Sequence, residues 1–293
     1  MNNKVHPAKA PQRFNLLLRS SIDTFINNPV ILIPFATIAF IQLLAIEILY
    51  FAPCFPLSAF FNPIIKALWG GEFTHYPNNF LILPKLFQNI QIFIYLFISG
   101  YFISVSIAII ASLDDSHKIK FLMACKETFN HYIHIFSGTL IMFFTFFGLH
   151  KIYNIAMAET LKISSMDGVF FILKRIILNG APFVNLLIGV LITTVFAFIF
   201  PAIVIEKKKI IAAIGLNFKY LWGSFWLIFL TVLIPTLFYL PVLLLRHNID
   251  NIEQVSFPEV RILVLVLSVI VTMFIDVTIY TAITTCFLLK KDR

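Results

Sequence analysis

A chain of 293 residues that is 60% hydrophobic and only 12% charged lies far from the soluble norm of about 25% charged residues, which excludes an ordinary water-soluble enzyme. Its net charge of +8 is spread over the ends of apolar runs rather than gathered in one basic domain. That pattern speaks for membrane orientation and against a nucleic-acid partner.

In chain order, residues 1–28 are polar and basic, without the short apolar core and small-residue cleavage site of a secretory signal. The first apolar run is therefore expected to stay in place as an anchor. There are six such runs in all, at 29–51, 90–112, 133–149, 183–205, 222–245 and 262–289. About 20 apolar residues cross roughly 30 Å of hydrocarbon as a helix. The runs are continuous rather than alternating, so helices are expected and barrel strands are not. The fold class is all-α: a polytopic helical bundle with six transmembrane helices, forming a single membrane domain over residues 1–293.

An amphipathic stretch precedes each odd-numbered run. Phe14, Leu17, Leu18, Ile22 and Phe25 share one helical face, with Arg19, Asp23 and Asn27 turned away. Phe25, Phe129 and Phe218 align without gaps, preceded by Thr24, Thr128 and Asn217. The sequence thus suggests three repeated units, 12–113, 116–206 and 207–293, each a surface helix followed by a helical hairpin. Pro29 suits the first position of a new helix, and Gly223 with Ser224 can supply the corresponding bend in the third unit.

Two long outer loops remain. Residues 52–89 carry Pro53, Pro56, Pro63 and Pro77 among aromatic residues and suggest short interfacial pieces. Within 150–182, the apolar stretch 168–178 is interrupted by Lys174 and Arg175, and reads as a second interfacial helix. The side bearing both termini collects 14 Lys and Arg against 8 opposite, so both ends are expected in the cytoplasm. Lys207–Lys209 and residues 290–293 are placed to meet anionic headgroups.

Asp276 is the most informative single residue. It sits near the middle of the last run, where an ionised carboxylate costs about 2.5–3.5 kcal/mol. Ser268, Thr272, Asp276, Tyr280 and Thr284 recur every four residues and form one polar stripe. Such a stripe either lines a wet path or forms a hydrogen-bonded seam between helices. Glu47, near the outer end of the first run with Gln42 about a turn deeper, is a second candidate intramembrane acid. His131 and His134 share a helical face but lack an evident third ligand. The prolines Pro34, Pro201, Pro235 and Pro241 are expected to kink their helices. The cysteines Cys54, Cys125 and Cys286 show no metal-ligand or disulfide spacing. No catalytic or phosphate-binding motif occurs, and nothing calls for a cofactor or a metal.

The stretch 13–29 running into Val30-Ile-Leu-Ile-Pro34, and residues 200–209 running into Ile214-Gly-Leu-Asn-Phe218, resemble the entry segments of uncharacterised bacterial six-span inner-membrane proteins. Those proteins are similar to the membrane domain attached to some glycerophosphodiester phosphodiesterases. The resemblance covers the layout of most of the chain and carries over no catalytic residue; it implies a bacterial inner-membrane location. The expected role is non-enzymatic and organising or accessory, with membrane lipids and other membrane proteins as partners. A small transporter or channel using the stripe, or an intramembrane lipid-modifying enzyme, are the alternatives.

Overall fold

The computed structural model describes residues 14–114, 120–162, 180–249, 252 and 257–291. Those residues form a helical bundle of membrane type, with no strand among them. Five helical stretches are long and apolar enough to cross a membrane: Pro29–Tyr50, Asn79–Leu113, Tyr132–Glu159, Pro182–Val204 and Val260–Lys291. A sixth is reached if the bent pair Ile210–Leu221 and Phe225–Leu237 counts as one crossing. The interfacial stretch expected at 168–178 lies outside the described residues, as do Lys118, Lys174 and Arg175 and the chain ends beyond 14 and 291.

The described chain opens with α1 (Phe14–Asn27). Its end is marked by Asn28, whose backbone N and Nδ2 both donate to the Thr24 carbonyl at 3.0 Å. Pro29 has no N–H to lose and begins a short 3-10 turn, Pro29–Ile31, that leads into α2 (Leu32–Tyr50). The connection that follows α2 contains α3 (Leu57–Leu68). The second crossing then starts at Asn79, eleven residues before the apolar run: α4 (Asn79–Ile94), a π-helical turn at Tyr95–Ser99, and α5 (Gly100–Asp114). Residues 79–89 were expected in a loop. They are helical because Phe80, Leu83 and Phe87 bury one face against α2 and the last helix while Lys85 stays outward.

Next come α6 (Phe121–Phe129) and α7 (Tyr132–Lys162). At 31 residues α7 is about 46 Å long, more than the roughly 30 Å a crossing needs, and it runs well beyond the expected span 133–149. The returning crossing is broken into α8 (Ala181–Val195) and α9 (Ile199–Val204). Further on, α10 (Ile210–Leu221) meets α11 (Phe225–Leu237) at 95°, with the bend at Gly223 and Ser224. A turn at Phe238–Tyr239 separates α11 from α12 (Leu240–His247), and α13 (Val260–Lys291) completes the bundle.

Neighbours in sequence are neighbours in space. α2 packs on α4 and α5, α5 on α7, α7 on α8, α8 on α11, and α11 and α12 on α13; α13 returns to α2 and closes the ring. The short helices follow a cyclic rule: α6 lies against α5, α10 against α9, and α1 against α13. α5 sits at the centre. Ile103, Ser104, Val105, Ser106, Ile107, Ile109 and Ile110 are all buried, which only a helix covered on every side achieves. The matching halves of α9 and α13, through Phe198–Ile203 and Ile279–Thr284, are buried too, so the bundle is tightest toward the end that carries α1, α6 and α10.

Small residues allow this closeness. A Cβ added at Gly100 would land on Oγ1 of Thr139 in α7, and one at Gly138 would press on Ile199 Cγ2 at 3.2 Å. Association in lipid depends on such close packing, because hydrocarbon offers helices no reason to leave it.

Candidate functional site

The five stripe residues separate into two kinds. Ser268, Tyr280 and Thr284 are buried, whereas Thr272 and Asp276 are half-buried. Ser268 Oγ and Tyr239 Oη share a hydrogen bond at 2.7 Å, which ties α13 to the turn between α11 and α12. Thr272 Oγ1 donates to the Ser268 carbonyl at 2.8 Å, and Thr284 Oγ1 to the Tyr280 carbonyl at 2.7 Å. Both hydroxyl protons thus go to their own helix, a common solution for threonine within a helix, and the oxygens keep lone pairs that can accept. Tyr280 stacks on Phe35 of α2 with ring centroids 6.3 Å apart.

Asp276 lies among different company. It lines a small cavity in the seam of α2 and α13, together with Gln42, Thr272, Phe35, Ile38, Ala39, Val269 and Met273. The cavity measures about 20 Å³, room for one water by the usual threshold of about 10–15 Å³. The phenols of Tyr95 and Tyr280 are within electrostatic reach of the carboxylate. Tyr95 opens the π-helical turn, and such turns are frequent at functional positions. Glu47 takes no part: it is exposed on the outside of α2. The structure therefore unites Asp276 with Gln42 and leaves Glu47 apart.

The sequence did not single out Tyr95 or Tyr239 as partners. Both are aromatic residues in an aromatic-rich chain, and their roles depend on which helices become neighbours. His131 and His134 gain no third ligand, since no group of three or more metal-capable side chains occurs among the described residues.

At the end of the bundle that carries the short helices, Asn217 holds the broken crossing together. Its Oδ1 accepts from the Phe198 N–H at 2.9 Å, and its Nδ2 donates to the Val195 carbonyl at 2.8 Å. Pro201 lacks the N–H that would continue the ladder, so the break has a local cause and a remote remedy. Lys290, expected at the headgroups, instead folds back. Its Nζ donates to the Tyr220 carbonyl and, at 2.7 Å, to Ser224 Oγ, and lies 5.7 Å from the Phe198 ring centroid. Lys207 pairs with Glu127 at 3.2 Å, but both are well exposed, so the pair is worth little. In α6, burial pushes the Cys125 thiol up from its ordinary value, opposed in part by the Tyr101 hydroxyl.

Comparison with protein-family models, with curated proteins and with solved structures returns no match to this chain. Fold and side-chain geometry together define a class, a multi-pass helical membrane protein, and the functional reading rests on the geometry alone.

Proposed function

We propose that this is a non-enzymatic multi-pass protein of the bacterial inner membrane that organises or assists other membrane components. In this reading it crosses six times as three hairpins with both ends in the cytoplasm, the fifth crossing being α11 with α12. The observation that carries the reading is the use made of polar groups within the crossings. Ser268 binds Tyr239, Asn217 binds the break beside Phe198, His150 Nδ1 meets Asn185 Oδ1 at 2.9 Å, and Tyr132 Oη donates to the Phe97 carbonyl at 3.0 Å. Polar side chains spent on neighbouring helices make a rigid body rather than a path.

The outward faces are correspondingly apolar, with Phe40, Phe93, Phe144 and Phe238 exposed on four different segments. A surface of this kind serves lipids and the spans of other proteins equally well. The short helices support the orientation. Leu17 of α1, Ala124 of α6 and Ala213 of α10 are buried inward, while Ile26, Leu122, Met123 and Ile211 are exposed, as suits helices lying in the headgroup plane. Trp222, 92% exposed at the 95° bend, is the residue type favoured at that depth. The basic excess on the same side and the layout resemblance supply the remaining support for cytoplasmic ends and an inner membrane. The cyclic packing of α1, α6 and α10 on α13, α5 and α9 supports the three-fold repeat.

A transporter working through the whole stripe would need Ser268, Tyr280 and Thr284 to be wetted, and all three are buried. Photo-crosslinking amino acids at Phe40, Phe144 and Phe238, used in native membranes, test the organising role. The expected result is one recurring protein adduct confined to one face; lipid adducts alone at every position contradict it.

A further inference from the structure

The structure assigns to Asp276 a site for one exchangeable proton, held with a single water in the seam between α2 and α13. This assignment is independent of the organising role and uses none of the observations that support it. Among the described residues no cation pairs with Asp276 and no donor hydrogen-bonds to its carboxyl group. Its side chain nevertheless stands near the middle of a 32-residue crossing helix. An unpaired negative charge at that depth is costly, and a bound proton removes the charge without any rearrangement of the helices. Ionisable residues within crossings are for this reason proton-handling candidates by default.

The surroundings fit a proton better than a larger ligand. The cavity, about 20 Å³ and partly open, has room for one water. A buried water needs two to four polar partners, and Asp276, Gln42 and Thr272 provide three on its wall. The rest of the wall, Phe35, Ile38, Ala39, Val269 and Met273, is apolar and offers no oxygen to complete the coordination shell of a metal cation. Among the described residues, the titratable groups in electrostatic range of the carboxyl are the phenols of Tyr95 and Tyr280; α2 contributes Gln42 and apolar side chains to the cavity wall. The step itself is simple. The Oδ–H bond of the acid breaks, the proton passes to the cavity water, and the carboxylate is left facing the Gln42 amide; uptake is the reverse.

The full-length protein in lipid nanodiscs, treated with dicyclohexylcarbodiimide, tests this directly. The apolar reagent adds to a protonated carboxyl group in an apolar setting and leaves an acylurea that peptide mass spectrometry locates. Modification is expected at Asp276, falling as the pH is raised, and unaffected by sodium or potassium at fixed pH. Gln42→Leu removes the polar group best placed to support the carboxylate, so the fall should move up by about one pH unit. No adduct at Asp276, an adduct that ignores pH, protection by sodium, or an unmoved profile in Gln42→Leu would each overturn the assignment. The wild-type measurement stands even if a variant fails to fold.

Discussion

The Asn217 side chain bridges a gap in another helix: it accepts from the Phe198 N–H at 2.9 Å while donating to the Val195 carbonyl at 2.8 Å. One amide from α10 thereby satisfies both a donor and an acceptor that the break between α8 and α9 leaves free. In hydrocarbon, water cannot substitute, so an irregular segment survives only where protein supplies its hydrogen bonds.

Asn217→Ala should therefore leave two buried backbone groups unpaired. Each orphaned group costs about 1–3 kcal/mol, and the expected result is a clear fall in thermal midpoint in detergent. Asn217→Asp keeps the acceptor but loses the donor and adds a buried charge. It should be at least as damaging at neutral pH. A midpoint unchanged in both variants would show that the break is held by packing alone.

Gly100 and Thr139 make a second pair open to test. A Cβ at position 100 would collide with Oγ1 of Thr139, so Gly100→Ala should cost about 1–3 kcal/mol by overpacking. Thr139→Ala removes the colliding atom. Combined with Gly100→Ala it should restore much of the loss, giving a strongly non-additive double-mutant cycle. Additive losses would mean that α5 and α7 do not meet at this point.

Cys125 carries a prediction in pH. Its thiol is pushed above the ordinary value by burial, with the Tyr101 hydroxyl opposing, and only the thiolate is nucleophilic. Alkylation by a permeant maleimide should thus be slower at neutral pH than that of glutathione, and should rise as the pH is raised. A rate at Cys125 equal to that of glutathione at neutral pH would contradict the burial of α6 against α5.

Tyr239→Phe deletes one link between α13 and the turn after α11. Hydrogen bonds between membrane helices average about 0.6 kcal/mol, so a small loss of stability is expected, detectable in a reversible unfolding assay. A loss several times larger would mean that Ser268 is left unsatisfied in a drier setting than the structure indicates.

Much of the fold could be read from residue order because the governing rules are local. Apolar run length located the crossings, and the spacing of Leu17, Leu18 and Phe25 located α1. Pro29 and the Gly223–Ser224 pair marked turns for reasons internal to a few residues. The early start of α4 was not legible, because Lys85 and Asn89 resemble loop residues until Phe80, Leu83 and Phe87 pack against α2 and α13; the long reach of α7 was not legible either, and none of residues 151–159 is buried there. Pro201 signalled a disturbance in the fourth crossing, but its remedy was hidden, since it comes from Asn217, far along the chain. Of the candidate site, the four-residue recurrence through Asp276 was visible, and so was Gln42. That these two share a cavity while Glu47 faces outward depends on the rotation of α2 against α13, which no single-chain periodicity specifies.

Sidedness is the claim on which the account turns, and the native cysteines provide the measurement. In intact cells, or in spheroplasts if an outer membrane blocks access, a membrane-impermeant maleimide should modify Cys54, which is exposed just beyond α2, and spare Cys125 until the membrane is permeabilised. Protection of Cys54 in intact cells, or modification of Cys125 from outside, would contradict six crossings with both ends in the cytoplasm.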